Sequence, residues 1–149
     1  TFSGIERRFD FKLKTDRVVY LSDYAHHPEE IRQSILSMRA LYADKKLTAV
    51  FQPHLYTRTR DFYHEFAAAL SHAEQVVLVE IYPARELPIE GITSQIILDE
   101  VTSSVKRLTT KAELIDTLKT LDFDVLLTVG AGDIDTYIPK IVESLEFRV

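Results

Sequence analysis

Asp23, Tyr24, His26 and His27 fall within one five-residue window, immediately before Pro28. A carboxylate, a phenol and two imidazoles so close together can hold a ribose, stack on a base and hydrogen-bond an anion. A second cluster runs from Gln52 to Asp61 and contains His54, Tyr56, Arg58 and Arg60. Guanidinium groups beside the free backbone N–H groups of a helix start make an anion site. Glu80-Ile81-Tyr82-Pro83-Ala84-Arg85-Glu86 forms a third cluster and Gly130-Ala131-Gly132-Asp133 a fourth.

Each cluster ends an apolar, β-rich run: Val18–Leu21, Leu47–Phe51, Val76–Val79 and Asp124–Val129. If these runs are parallel strands, all four clusters meet at the carboxyl edge of one sheet, where open α/β sheets bind ligands. Plainer roles exist for the same residues. Asp23 can cap the following helix while the histidines sit in water. Arg58 and Arg60 can pair with Asp61, Glu65 or Glu86. Glu80 can orient His54 or Arg58, or simply face solvent. His26, His27 and His54 could meet in space as three imidazole ligands, but no metal-site spacing supports this and no metal is assigned. The Gly130–Gly132 turn lacks the Lys-Ser/Thr of a phosphate-cradling loop. There is no Gly-x-Ser-x-Gly elbow. The chain therefore holds half of a catalytic constellation.

The 149 residues suffice for one domain with a real core. With 46% hydrophobic and 28% charged residues the composition is that of a soluble globular domain. No apolar run approaches the roughly 20 residues of a membrane span, and the first residues lack a signal-peptide core. The absence of cysteine excludes disulfides and thiolate metal sites and is compatible with the cytoplasm. A net charge of -5, with arginines in two small groups, argues against nucleic acid and for one small anion.

The elements that must position these clusters follow from periodicity. Phe9–Lys14 alternates as an edge strand and turns at Thr15-Asp16. Pro28, Glu29 and Glu30 open a helix whose face is Ile31, Ile35, Met38 and Tyr42. A second helix is expected over Thr59–Ser71, with Phe62, Phe66, Ala69 and Leu70 inward. Ser94 is expected to cap a third, containing Ile97 and Val101. A short strand follows near Val105–Leu108, and Thr110 with Glu113 has capping-box spacing before Leu114, Leu118 and Leu121. A last helix lies within Thr136–Glu146, with Pro139 in its first turn. This alternation predicts one α/β domain: a mostly parallel open sheet, helices on both faces, and an antiparallel edge strand.

Gly4-Ile5-Glu6-Arg7-Arg8-Phe9, Asp23–Pro28, Phe51–His54 with Thr57–Asp61, Glu80–Ala84 and Gly130–Gly132 occur in that order over nearly the whole chain. Together they resemble the C-terminal, Rossmann-like domain of the Mur ligases, in the branch that handles L-alanine. The resemblance implies a three-domain bacterial cytoplasmic enzyme of peptidoglycan synthesis. In it ATP, with Mg²⁺, phosphorylates the carboxylate of UDP-N-acetylmuramate, and the amine of L-alanine attacks the acyl phosphate. It also implies partners for this domain: an N-terminal UDP-sugar domain and a central ATPase, whose P-loop is not within these residues, so the domain alone should not ligate. By motif position, Arg8 would reach the ATP phosphates and Asp23 the ribose. Tyr24, His26, His54 and Arg58 would line the L-alanine pocket, with Arg58 on its carboxylate.

The chain departs from the family pattern at four positions. Leu55 stands where an Arg is usual, Ser22 for an Asp, Arg85 for a Gly and Asp133 for an Asn. Leu55 removes one positive charge from the amino-acid site, and Arg60 is the candidate replacement. Alternatives are a related ligase that attaches a recycled peptide to UDP-N-acetylmuramate, a non-catalytic nucleotide- or amino-acid-binding module, and a small metal-dependent hydrolase built on the three histidines.

Overall fold

The computed structural model describes residues 9–146. Among these, six strands form one sheet: β1 (Asp10–Lys14), β2 (Val19–Asp23), β3 (Leu47–Phe51), β4 (Gln75–Val79), β5 (Val105–Thr109) and β6 (Val125–Val129). Their order is β1-β2-β6-β3-β4-β5. β1 pairs antiparallel with β2, with a bulge between Phe11 and Leu13. Every other pairing is parallel. The anticipated sheet, including its antiparallel edge strand, is the one observed. The Thr15-Asp16 turn is closed by Thr15, whose N–H donates to the Val18 carbonyl.

The helices are α1 (Pro28–Leu41), α2 (Tyr56–Leu70), α3 (Ser94–Leu98), α4 (Leu114–Lys119) and α5 (Ile138–Glu146). A 3₁₀ turn, Asp133–Tyr137, leads into α5 and places Pro139 in its first turn. The central strands β3, β4 and β6 are buried at every residue. Both of their faces are covered, so their sequences are continuously apolar. On one face Leu21, Ala49, Phe51, Leu78 and Leu127 pack against α1, α2 and α3 through Ile31, Ile35, Phe66, Leu70 and Ile97. On the other, Tyr20, Val50, Val77 and Leu126 pack against α4 and α5 through Leu114, Leu118, Ile141 and Leu145. β5, at the open edge, carries Lys106 and Arg107, charges that discourage further strand pairing.

Several local expectations are corrected. α2 begins at Tyr56, a turn earlier than the helix pattern indicated, and Thr59 rather than Phe62 lies on its buried face. Phe62 is 39% exposed. Thr93, not Ser94, caps α3: its hydroxyl accepts from the Gln95 N–H, while the Ser94 hydroxyl donates to the Val79 carbonyl. α3 also stops at Leu98, so Val101 is buried beyond its end. The Thr110–Glu113 capping pair is half realised, the Thr110 hydroxyl accepting from the Glu113 N–H at 3.2 Å.

Strand register brings the clusters together. Asp23 and Phe51 both align with Val129, and Phe51 aligns with Leu78. β2 and β3 lead to helices on one face, while β6, lying between them, leads to α5 on the other. The chain thus diverges around the end of β6, the position where such sheets open a crevice.

Candidate functional site

The crevice is built from the ends of β2, β3 and β6. After β3, Gln52 and Pro53 are buried and His54 makes an isolated parallel bridge with Tyr82. The Leu55 N–H donates to the Tyr82 carbonyl and the Tyr82 N–H to the Pro53 carbonyl, both at 2.8 Å. The two loops are thereby joined. Leu55 adopts φ 74°, a conformation costly for a branched side chain, and is the N-cap of α2. Leucine offers no oxygen to the first-turn N–H groups. Glu86 supplies it from the neighbouring loop, accepting from the Thr57 N–H at 3.1 Å and from the Thr57 hydroxyl. The Thr57 bonds hold the Glu86 carboxyl below its ordinary range.

His54 precedes α2 and Arg58 lies in its first turn, with Arg58 Nη1 3.3 Å from His54 Nδ1. A guanidinium only donates, so Nδ1 must accept, and a neutral His54 carries its proton on Nε2. Burial, then the charge of Arg58 and the nearness of His26, lowers the His54 pKa, against an opposing pull from Glu86. His26 has the opposite arrangement. Its Nδ1 lies 3.2 Å from the Tyr24 carbonyl, which only accepts, so Nδ1 donates. A neutral His26 then presents a lone pair at Nε2. Tyr24 donates its hydroxyl to the Ala131 carbonyl at 3.1 Å, which ties the β2 loop to the β6 loop. Neighbouring imidazoles of opposite polarity beside a guanidinium suit a ligand with both an anionic group and an amine.

Asp23 is 5% exposed and accepts from the Ala25 N–H and the Ser34 hydroxyl. It does not cap α1, whose N-cap is His27; there Glu30 accepts the N–H groups of His26 and His27. Arg8 lies outside the described residues. The structure thus brings Tyr24, His26, His54 and Arg58 together, while Asp23, at the end of β2, lines a separate cleft with Glu30 and Ser34.

Glu80 and Arg60 take the plainer of the roles open to them. Glu80 accepts from the Lys111 N–H at 2.8 Å and orients neither His54 nor Arg58; the carboxylate acting on His54 is Glu86. Arg60 is exposed and bonded to Asp61 at 2.9 Å, so it does not replace the charge absent at Leu55. His64 pairs with Glu100 on the surface. Among the described residues no group of three or more His, Asp or Glu side chains is placed to hold a metal ion. A cleft of about 370 Å³ between the ends of β4 and β5 borders Tyr56, Ile81, Ile92 and Leu108 but excludes the His54 cluster.

Sequence reasoning missed Lys111. Its ammonium bonds Asp133 at 2.5 Å, and Asp133 also accepts from Gln52 Nε2 at 2.8 Å. Gln52 Oε1 in turn accepts from the Ile134 N–H at 2.9 Å. The bond to Asp133 raises the Lys111 pKa. Burial pushes the Asp133 carboxyl up, but the bonds from Lys111 and Gln52 outweigh it and hold the group below its ordinary range. Lys111 lies beyond β5 and far from Asp133 in sequence, so only strand order could reveal the pair.

Fold and site together define a Rossmann-like α/β domain with His26, His54 and Arg58 gathered at its switch point. A family model described as the glutamate ligase domain of the Mur ligases matches residues 7–132. The chain belongs to the Mur ligase family. It is 63% identical over 142 residues to a UDP-N-acetylmuramate–L-alanine ligase from Phocaeicola vulgatus, covering 95% of this chain and 31% of that protein. It is 56% identical over 145 residues to the enzyme of the same name from Parabacteroides distasonis, again 31% of that protein. The chain therefore spans about a third of the length of these relatives. Among solved structures, a UDP-N-acetylmuramate–alanine ligase from Thermotoga maritima superposes with TM-score 0.76 at 27% identity, over 96% of this chain and 30% of that one. A ligase domain from Haemophilus ducreyi superposes with TM-score 0.67 at 19% identity, over 93% of this chain and 99% of that one.

Proposed function

We propose that this chain is the C-terminal, amino-acid-binding domain of an ATP-dependent ligase that joins L-alanine to UDP-N-acetylmuramate. The observation that carries the reading is the convergence of Tyr24, His26, His54 and Arg58 in a chain 63% identical to an alanine-adding ligase. In the proposed reaction the γ-phosphoryl group of ATP passes to the muramate carboxylate, giving an acyl phosphate and ADP. The alanine nitrogen then attacks the acyl carbon, the C–N bond forms, the C–O bond to phosphate breaks, and the nitrogen loses a proton.

The described residues divide this work by polarity. Arg58 and the Nε2–H of His54 hold the alanine carboxylate, a charge-assisted pairing. His26 Nε2 accepts from the alanine ammonium, which must shed one proton before it can attack. Tyr24 holds the wall between the β2 and β6 loops. Asp23 serves the nucleotide ribose and Arg8 the phosphates. Residues absent from this chain form the ATPase and UDP-sugar sites. Mg²⁺ would supply charge neutralisation at the ATP phosphates, and the described residues offer no cluster to hold it, so no step here runs through the metal. Closure of this domain on the ATPase would exclude water from the acyl phosphate. Such an enzyme would work in the bacterial cytoplasm, and no described helix is long and apolar enough to span a membrane.

The test is complementation in trans. This chain is mixed with the separately produced N-terminal and central domains of an alanine-adding ligase, and phosphate release is followed with ATP, Mg²⁺, UDP-N-acetylmuramate and L-alanine. Alanine-dependent release that Arg58→Ala or His54→Ala abolishes establishes the reading. Associated, folded fragments that release no phosphate overturn it in favour of a non-catalytic binding module.

A further inference from the structure

Lys111 touches none of the proposed ligand-binding residues, yet an unbroken series of contacts links it to His54. Its ammonium bonds Asp133 Oδ2, and Asp133 Oδ1 accepts from Gln52 Nε2. The Gln52 side chain is fully buried, and its Oε1 takes the Ile134 N–H. These two bonds admit one orientation of the amide: oxygen toward Ile134, nitrogen toward Asp133. The oriented amide lies against Gly132. A Cβ added there would stand 2.5 Å from Gln52 Oε1 and 2.7 Å from Tyr82 Cβ, so only glycine permits this approach. Tyr82, pressed between Gly132 and the β3 loop, stacks on His54 with ring centroids 5.6 Å apart and planes 25° apart.

We propose that Lys111 and Asp133 are positioning residues for His54. The ion pair pins the Asp133 carboxylate, the carboxylate and Ile134 lock the Gln52 amide, and the amide with Gly132 fixes the face of Tyr82 on which the imidazole rests. Without Lys111, a half-buried carboxylate has reason to turn toward water. The amide then loses its fixed orientation, and the Tyr82–His54 stack loosens. The significance for catalysis rests on the proposed alanine site, in which His54 Nε2 must point at a carboxylate; the geometric claim stands apart from it.

Two measurements test this. The first records the imidazole signals of the isolated chain by NMR for Lys111→Met, Lys111→Arg and Gly132→Ala. Lys111→Met is expected to move the His54 ring signals by more than a line width, leave those of the surface residues His64 and His72 in place, and be reversed in Lys111→Arg. Gly132→Ala should move the same signals if it folds. A folded Lys111→Met chain with unmoved His54 signals overturns the proposal, as does equal movement of all histidines, which would mark a general loss of structure. The second uses the complemented enzyme. Lys111→Met should raise the KM for L-alanine several-fold while phosphate release at saturating alanine persists. An unchanged KM in an active complex overturns the catalytic part. An inactive parental complex instead counts against the ligase reading, and the NMR result still decides the positioning.

Discussion

Arg58 Nη1, in the first turn of α2, stands 3.3 Å from Nδ1 of His54, which precedes the helix. A cation so placed opposes protonation of the ring, and burial opposes it further. Because the native pKa is lowered, the unfolded chain takes up the proton first as pH falls below the ordinary value of 6.5. Stability should therefore decline as pH drops from 6.5 toward the native His54 pKa. Urea denaturation of the parent and of His54→Gln across this window should show a shallower slope in the variant. NMR titration of Arg58→Ala should show the His54 pKa moved back up.

Glu86 caps a helix to which it does not belong. Because Leu55 has no acceptor, Glu86→Ala should leave the Thr57 N–H unpaired. Hydrogen exchange at Thr57 and its first-turn neighbours should accelerate, with little change at the far end of α2. The Glu86 pKa is lowered by these bonds, so their contribution should vanish as pH falls below the ordinary carboxylate range.

Gly130 has φ 142°, and a Cβ there would lie 2.8 Å from the Gln52 carbonyl oxygen. Backbone cannot yield as a flexible side chain does. Gly130→Ala should cost about 1–3 kcal/mol, read by urea denaturation.

Asp23→Ala removes the acceptor of the Ser34 hydroxyl and the Ala25 N–H, both on buried residues. Leaving these donors unpaired should cost about 1–3 kcal/mol. A loss of nucleotide affinity in the complemented enzyme larger than the stability change explains would support the ribose role.

Phe66 and Phe62 differ by one turn and by burial: Phe66 is fully buried and Phe62 is 39% exposed. Phe66→Ala should cost about 3–5 kcal/mol. Phe62→Ala should fall within about 0.5 kcal/mol of the parent.

That second pair shows where periodicity misleads. Phe62 and Phe66 share helical spacing, and nothing in their residue type says which the sheet covers. The direction in which α2 leaves β3 decides it, and that direction is set by the Leu55–Tyr82 and Glu86–Thr57 bonds. The start of α2 was obscured for a related reason. Its cap comes from another loop, and sequence signals for helix starts are local.

The alternation of strands and helices, the antiparallel edge and the concentration of polar residues at strand ends are all legible in the residue order. These follow from apolar periodicity and turn chemistry, which act over a few residues. The same order also marked Tyr24, His26, His54 and Arg58 as the residues to watch. What each of them faces depends on the packing of the whole sheet. Inserting β6 between β2 and β3 brought Ala131 to Tyr24 and Gly132 to Tyr82, and gave Asp133 to Lys111 and Gln52. Strand order is a property of the whole packed sheet, so no local pattern in the chain encodes it.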